Sequence, residues 1–300
     1  DDARNNSTIY YRFSSDEEVD YLSETSDEQE NLGNDLKWVA FKQKFFSTAI
    51  IANNSFDNGV IETQTPAGNN EIIKTTSAHL TIPYDHQREE NFGMKFYFGP
   101  NHYQTLESYE LGLENLVPLG WSVLRWVNRF AIIPVFNFLD GFGLNYGFII
   151  LILTLLLKLV LFPITYKQYV SMAKMKVLQP EMKEIQDKFK GDQSKIQQET
   201  MKLYQKSGVN PLGGCLPMLL QFPILVAMFY FFPSSIELRQ QEFLWATDLS
   251  SYDSIYDFGF AIPFYGDHIS LFTLLMTVST LAYTMLNNQM QMSMNPQMKW

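Results

Sequence analysis

The chain has 300 residues, a net charge of −10 and a single cysteine, Cys215. One cysteine excludes an internal disulfide framework, and the mean hydropathy of −0.12 suits a soluble acidic protein only as an average. Residues 1–120 hold about 20 acids against about 8 bases, whereas long apolar segments begin near residue 142. No aliphatic signal peptide opens the sequence and residue 1 is Asp1, so a fragment or processed form is expected, with an upstream anchor outside it.

In the first half, STIYYRF (Ser7–Phe13), EIIKTTS (Glu71–Ser77), AHLTIPY (Ala78–Tyr84) and FGMKFYFG (Phe92–Gly99) predict strands. They are short, rich in aromatic or β-branched residues, and bounded by Asn, Gly and Pro. LKWVAFKQKFFSTAII (Leu36–Ile51) reads equally as strand or helix. Residues 14–35, SSDEEVDYLSETSDEQENLGND, are acidic and poor in apolar residues, which predicts a solvated loop or mobile insertion. A β-sandwich over residues 1–117 is the expected architecture. This half shows no metal-ligand spacing and no nucleophile motif, so neither enzyme activity nor a cofactor is expected, and its ligand stays open.

Residues 118–143 predict an amphipathic helix. Arg125 and Arg129 share one face, Leu124, Val127 and Ala131 another, and the rings of Trp121 and Trp126 suit the headgroup level of a bilayer. Pro134 is expected to end or kink it. The alternative is a soluble helix packed on the β-domain.

Three apolar segments, residues 144–165, 211–232 and 269–288, each approach the roughly 20 residues that a helix needs to cross about 30 Å of hydrocarbon. The loop between the first two, residues 166–210, carries about nine lysines, and the loop 233–268 a single basic residue, Arg239. That asymmetry predicts a cytoplasmic Lys-rich loop, a β-domain on the outer side, and a return to the cytoplasm over residues 289–300. The Lys-rich loop reads as two helices, YKQYVSMAKMKVLQPEMKEIQDKFK and SKIQQETMKLYQKSG, joined tightly at Gly191–Gln193 into a hairpin. Ser194 is the expected N-cap of the second helix and Gly208 its stop. Met172, Met175 and Met182, with Lys176 and Lys183, form a candidate partner surface; equally, the methionines simply pack the hairpin against itself.

Lys158 places a cation about 9 Å inside the first span, where it costs on the order of 2.5 to 3.5 kcal/mol. Its stem could snorkel to the interface. Its company argues for a hydrated site. Thr154 and Thr165 line up with it, Gln221 interrupts the second span, and Thr273, Thr277, Thr280 and Thr284 form one face of the third. Single threonines often bond back to their own helix, but a whole face of them beside a lysine and a glutamine fits a shared water-filled groove. Pro211, Pro217 and Pro223, with Gly213 and Gly214, either shape that groove or make ordinary packing kinks.

LFPITYKQYVSMAKMKVLQPEMKEIQDKF, VNPLGGCLPMLLQFPILVAMFY and SSIELRQQEFLWATDLSSYD closely resemble the YidC/Oxa1/Alb3 family of membrane protein insertases, bacterial type. The likeness runs from about Trp121 to Met294, and more weakly upstream. It implies a bacterial inner-membrane protein with a periplasmic β-sandwich, a five-helix core forming a hydrophilic groove, and a cytoplasmic helical hairpin. Lys158 matches a basic groove residue of the family, often arginine, and Thr154 and Gln221 match groove-lining positions. The partners implied are nascent membrane proteins and the lipid bilayer, with the Sec translocon, the ribosome and the signal recognition particle receptor, and no nucleic acid read directly. The first membrane helix and the last two core helices are missing from the sequence, as in a truncated chain. Two other functions compete: a small-solute transporter, for which no inverted repeat is visible, and a membrane-anchored binding protein working through its β-domain.

Overall fold

The computed structural model describes residues 2–33, 35–66, 72–84, 86, 89–208, 216–263 and 265–291, with all of their side chains except those of residues 2, 172, 216–218 and 286–291. The chain forms two compact units, one of Asp1–Gly120 with Tyr230–Arg239, the other of Trp121–Phe229 with Gln240–Trp300.

The first unit opens with a short helix, α1 (Asp2–Asn5), and continues as β1 (Thr8–Phe13), β2 (Asp20–Tyr21), β3 (Glu28–Leu32), β4 (Leu36–Lys42), β5 (Phe46–Phe56), β6 (Asn58–Gln64), β7 (Thr75–Thr81) and β8 (Met94–Pro100). Two antiparallel sheets result, ordered β2-β1-β4-β5-β8 and β3-β6-β7. Ile9, Tyr11, Val39 and Phe56 of the larger sheet and Leu32 and Ile61 of the smaller share one buried cluster. β4 is covered on both faces: Val39 joins that cluster, while the fully buried Trp38 donates its indole N–H to the carbonyl of Leu111 at 2.8 Å. The segment around α2 (Tyr103–Glu107), which buries Leu106, Leu113 and Leu116, thus supplies the second layer.

Several local expectations change. Leu36–Ile51 resolves into two strands, because Gln43 N–H donates to the carbonyl of Phe46 and closes a hairpin. EIIKTTS and AHLTIPY are not two strands but one, β7, starting at Thr75. The acidic stretch 14–35 is not merely a loop. It contributes β2 and β3 and buries Leu22 and Leu32. Its charge is absorbed locally: Glu24 meets the buried Lys42 at 3.0 Å, and Tyr11 donates its hydroxyl to Glu30 at 2.9 Å.

The second unit begins with one continuous helical rod. α3 (Val123–Val127) passes through a π turn at Asn128–Ile132 into α4 (Ile133–Asp140). Pro134 therefore does not end the helix. It sits in the first turn after the wide π turn, where an absent N–H removes little. Leu124, Val127 and Phe136 are buried, Ala131 is half-buried, and Arg125, Arg129, Trp121, Trp126 and Phe130 are exposed. Asn128 donates through Nδ2 to the carbonyl of Ala227 at 2.9 Å, tying the rod to the second apolar helix.

α5 (Tyr146–Val177) spans 32 residues, about 48 Å at 1.5 Å per residue. The first apolar run and the start of the Lys-rich loop are thus one helix, which breaks only where Pro180 opens α6 (Gln179–Lys188). α7 (Gln193–Lys206) follows; its N-cap is Asp192, which accepts from Lys195 N–H at 3.1 Å, rather than Ser194. Gly208 then takes a left-handed φ of 62° beyond its end, and Gly191 one of 98° before it. α8 (Leu216–Ser234), the strands β9 (Tyr256–Ile262) and β10 (Gly266–Ile269), and α9 (Leu271–Gln291) follow among the described residues. Among the described residues one helix, α5, is long and apolar enough to cross a membrane; the apolar stretches Leu219–Ser234 and Leu271–Met285 are shorter. Pro211, Gly213, Gly214 and residues 292–300 lie outside the described residues, as does the side chain of Pro217.

Candidate functional site

α5 starts from a fixed point. Asn145 caps it by accepting from Gly147 N–H at 2.9 Å, and donates through Nδ2 to the carbonyl of Glu242 at 2.8 Å. Gly147 is required there, because a Cβ would lie 2.1 Å from the ring of Phe243.

From this anchor, Ile149 and Leu153 are buried and Leu157, Leu161, Ile164 and Gln168 partly so, one packed stripe at helical spacing. Thr154, Lys158 and Thr165 define a neighbouring stripe, roughly a quarter-turn away. Lys158 is exposed and makes no ion pair among the described residues. Thr154 and Thr165 donate their hydroxyls to the carbonyls of Ile150 and Leu161, at 2.8 and 2.9 Å. Back-bonding of this kind leaves each oxygen able to accept from water or a substrate. Pro163, which the sequence reading passed over, lies inside α5 five residues after Lys158; lacking an N–H, it leaves the Leu159 carbonyl without its helical donor.

The second and third apolar helices approach this stripe at one end. Gln221, half-buried on α8, shares a small crevice with Leu161, Ile164, Thr165 and Leu220. The hydroxyls of Tyr169 on α5 and Tyr283 on α9 come close enough to interact. Tyr169 lies eleven residues, three turns, beyond Lys158 on the same face, so α9 meets the very side of α5 that carries the lysine. The sequence patterning held no sign of this pair. On α9, Thr273, Thr277 and Thr280 are exposed; Thr277 and Thr280 donate to the carbonyls of Thr273 and Met276, at 2.8 and 2.7 Å. The structure brings Gln221 to Thr165. Lys158 makes no hydrogen bond to Gln221 or to the threonines of α9 among the described residues.

Beyond Tyr169, Met175 and Met182 are buried with Tyr204, whose hydroxyl donates to the sulfur of Met182 at 3.2 Å. These two methionines hold the end of α5, α6 and α7 together, leaving Lys176, Lys183 and Met201 outside; the side chain of Met172 lies outside the described residues.

Comparison with known proteins places the whole chain in context. Residues 6–131 match the family described as YidC periplasmic domain, and residues 138–300 the 60Kd inner membrane protein family. A membrane protein insertase YidC of Parabacteroides distasonis is 44% identical over 298 residues, covering 94% of this chain and 47% of that protein. The proteins of the same description from Bacteroides fragilis and Amoebophilus asiaticus are 46% and 42% identical, covering 97% and 98% of this chain. The chain spans about half the length of these relatives, 49% and 50% for the latter two. With one family match over residues 6–131 and another over more than half its length, the chain belongs to the 60Kd inner membrane protein family, that of the YidC insertases.

Proposed function

We propose that this chain is the working part of an inner-membrane insertase. α5, α8 and α9 cross the bilayer as members of the family's helical core, with the β-unit in the periplasm and α6–α7 forming a cytoplasmic hairpin. The observation that carries this reading is Lys158: an exposed ammonium on the long apolar helix, without an ion-pair partner among the described residues, on the face where Tyr169 meets Tyr283. A cation so placed requires water around it or an acidic visitor.

In this mechanism the apolar segment of a nascent protein lies along the outer surfaces of α5 and α9, while its short polar tail rests in a hydrated recess lined by Lys158, Thr154, Gln221, Thr273, Thr277 and Thr280. Shortening the polar path through hydrocarbon lowers the barrier, and partition of the apolar segment into lipid drives the step. No covalent step is involved. Lys176 and Lys183, on the outside of the fold, suit the hairpin's role toward a ribosome or targeting receptor, and the Sec translocon is a further partner. Photocrosslinking probes at Thr154, Gln221 and Thr277 test the reading. Substrate tails captured at these positions, and not at Val160 on the lipid-facing side, support it; capture at none of the three overturns it.

A further inference from the structure

Between α8 and α9 the chain forms a two-stranded ribbon, β9–β10, whose aromatic side is uncovered. Phe258 is its hub: the rings of Tyr256, Phe260 and Tyr265 stand 5.6, 6.0 and 6.2 Å from it. Three of these rings are largely bare, Tyr256 at 61%, Phe260 at 65% and Tyr265 at 56% exposure. The opposite side is polar. Across the ladder Asp257 faces His268, which Tyr252 stacks upon at 4.0 Å, while Tyr256 faces Ile269 on the aromatic side. Gly259, at a φ of 73°, bends the strand at the hub. A lone two-stranded ribbon is marginal in water, and an aromatic cluster left bare makes it more so.

Where the ribbon stands indicates what covers it. Only Ser270 separates Ile269 from Leu271, the first residue of α9, a path of at most about 7 Å. Asp253, just before β9, accepts from Ser270 and, at 3.0 Å, from Phe272 N–H, stapling the root of the ribbon to the start of that helix. The bare rings therefore stand within a few residues of the bare apolar flank of α9, where Leu275, Met276 and Val278 are exposed. One medium suits both surfaces, and rings with one polar edge concentrate at the headgroup level of a bilayer.

We propose that the β9–β10 ribbon lies flat in the outer-leaflet interface, with Tyr256, Phe260 and Tyr265 among the headgroups and upper acyl chains and Asp257 and His268 toward water. This rests on α9 crossing the membrane, as proposed above. It gives the outer end of the groove a lipid-bound rim that does not depend on a protein partner.

The test uses the full-length protein in vesicles of phosphatidylethanolamine and phosphatidylglycerol, in a Cys215→Ser background. A fluorophore is attached in turn at Phe260→Cys, Tyr256→Cys, Asp257→Cys and Val278→Cys. Lipids carrying a headgroup nitroxide are expected to quench the probes at 256 and 260 about threefold more strongly than the probe at 257, with iodide showing the reverse order. Acyl-chain nitroxides are expected to quench position 278. If 278 is quenched by acyl nitroxides while iodide reaches 256 and 260 freely, the ribbon proposal fails and the spanning helix stands. Protection of 256 and 260 from both quenchers means that a protein surface covers the patch, which also overturns the proposal. Failure of acyl nitroxides to quench 278 removes the spanning helix and the proposal with it.

Discussion

Trp245 donates its indole N–H to Asp253 at 2.9 Å, and the same carboxylate oxygen accepts the backbone N–H of Phe272 at 3.0 Å. One aspartate thus ties the loop after α8 to the first turn of α9. Burial pushes its pKa up, but hydrogen bonds from the Ser270 hydroxyl, Phe272 N–H and the Trp245 indole outweigh that and hold it below the ordinary carboxylate range. A carboxylate whose folded pKa is depressed contributes stability above its unfolded pKa and loses it as pH falls through the folded one. The Trp245 environment is therefore expected to be constant at neutral pH and to loosen only in acid, below the usual aspartate range. Asp253→Asn should produce the loosened state at pH 7. Tryptophan fluorescence in a variant retaining only Trp245 measures both; a wild-type transition near pH 6 would contradict the assignment.

Lys42 is 2% exposed and meets Glu24 at 3.0 Å. Burial lowers its pKa, and Glu24 works against that. Removing one partner of a pair like this costs more than replacing both. Since Glu24 is part-exposed, Glu24→Gln is expected to destabilise the β-unit by about 2 kcal/mol. Lys42→Met with Glu24→Gln should recover most of that loss. Unfolding followed through the buried Trp38 reads the difference; a double variant less stable than the single one would show that the pair itself stabilises.

Much of this was legible in the residues, for physical reasons. β1 and β8 announce themselves because half-buried pleated surfaces select aromatic and β-branched side chains. Lys158 stood out because hydrocarbon makes a charge conspicuous. β3 was hidden, because EQENL buries only Leu32 and the rest of the strand faces water. The aromatic ribbon was missed although Tyr256, Phe258 and Phe260 alternate along β9, because its partner strand, GDHI, is four residues long and carries no such pattern. The approach of Tyr169 to Tyr283 joins residues more than a hundred positions apart, and no local pattern encodes that.

Gly147 leaves no room for a side chain, since a Cβ would sit 2.1 Å from the Phe243 ring. Gly147→Ala is expected to cost about 1 to 3 kcal/mol by overpacking. Pairing it with Phe243→Ala should relieve the clash while losing the Phe148–Phe243 ring contact, at 5.4 Å. Thermal unfolding in detergent of the two single variants and the double measures the coupling; additivity would contradict direct contact.

Charge reversal at Lys158 should discriminate among substrates. Lys158→Glu is expected to reduce insertion of proteins with acidic translocated tails by about tenfold, roughly 1.4 kcal/mol, and to affect neutral tails little. Protease protection of radiolabelled substrates in proteoliposomes gives both yields. Equal loss for both classes would indicate structural damage rather than electrostatic attraction.

The most direct test asks whether water reaches residue 158. A Lys158→Cys, Cys215→Ser variant in native membranes can be treated with a small maleimide, which reacts only with the hydrated thiolate. The expected rate lies within about tenfold of that at the exposed position Lys176→Cys in the last turn of α5, and far above that at Val160→Cys. A rate at 158 as slow as that at 160 would mean that the lysine faces lipid, and that no wet recess exists around it.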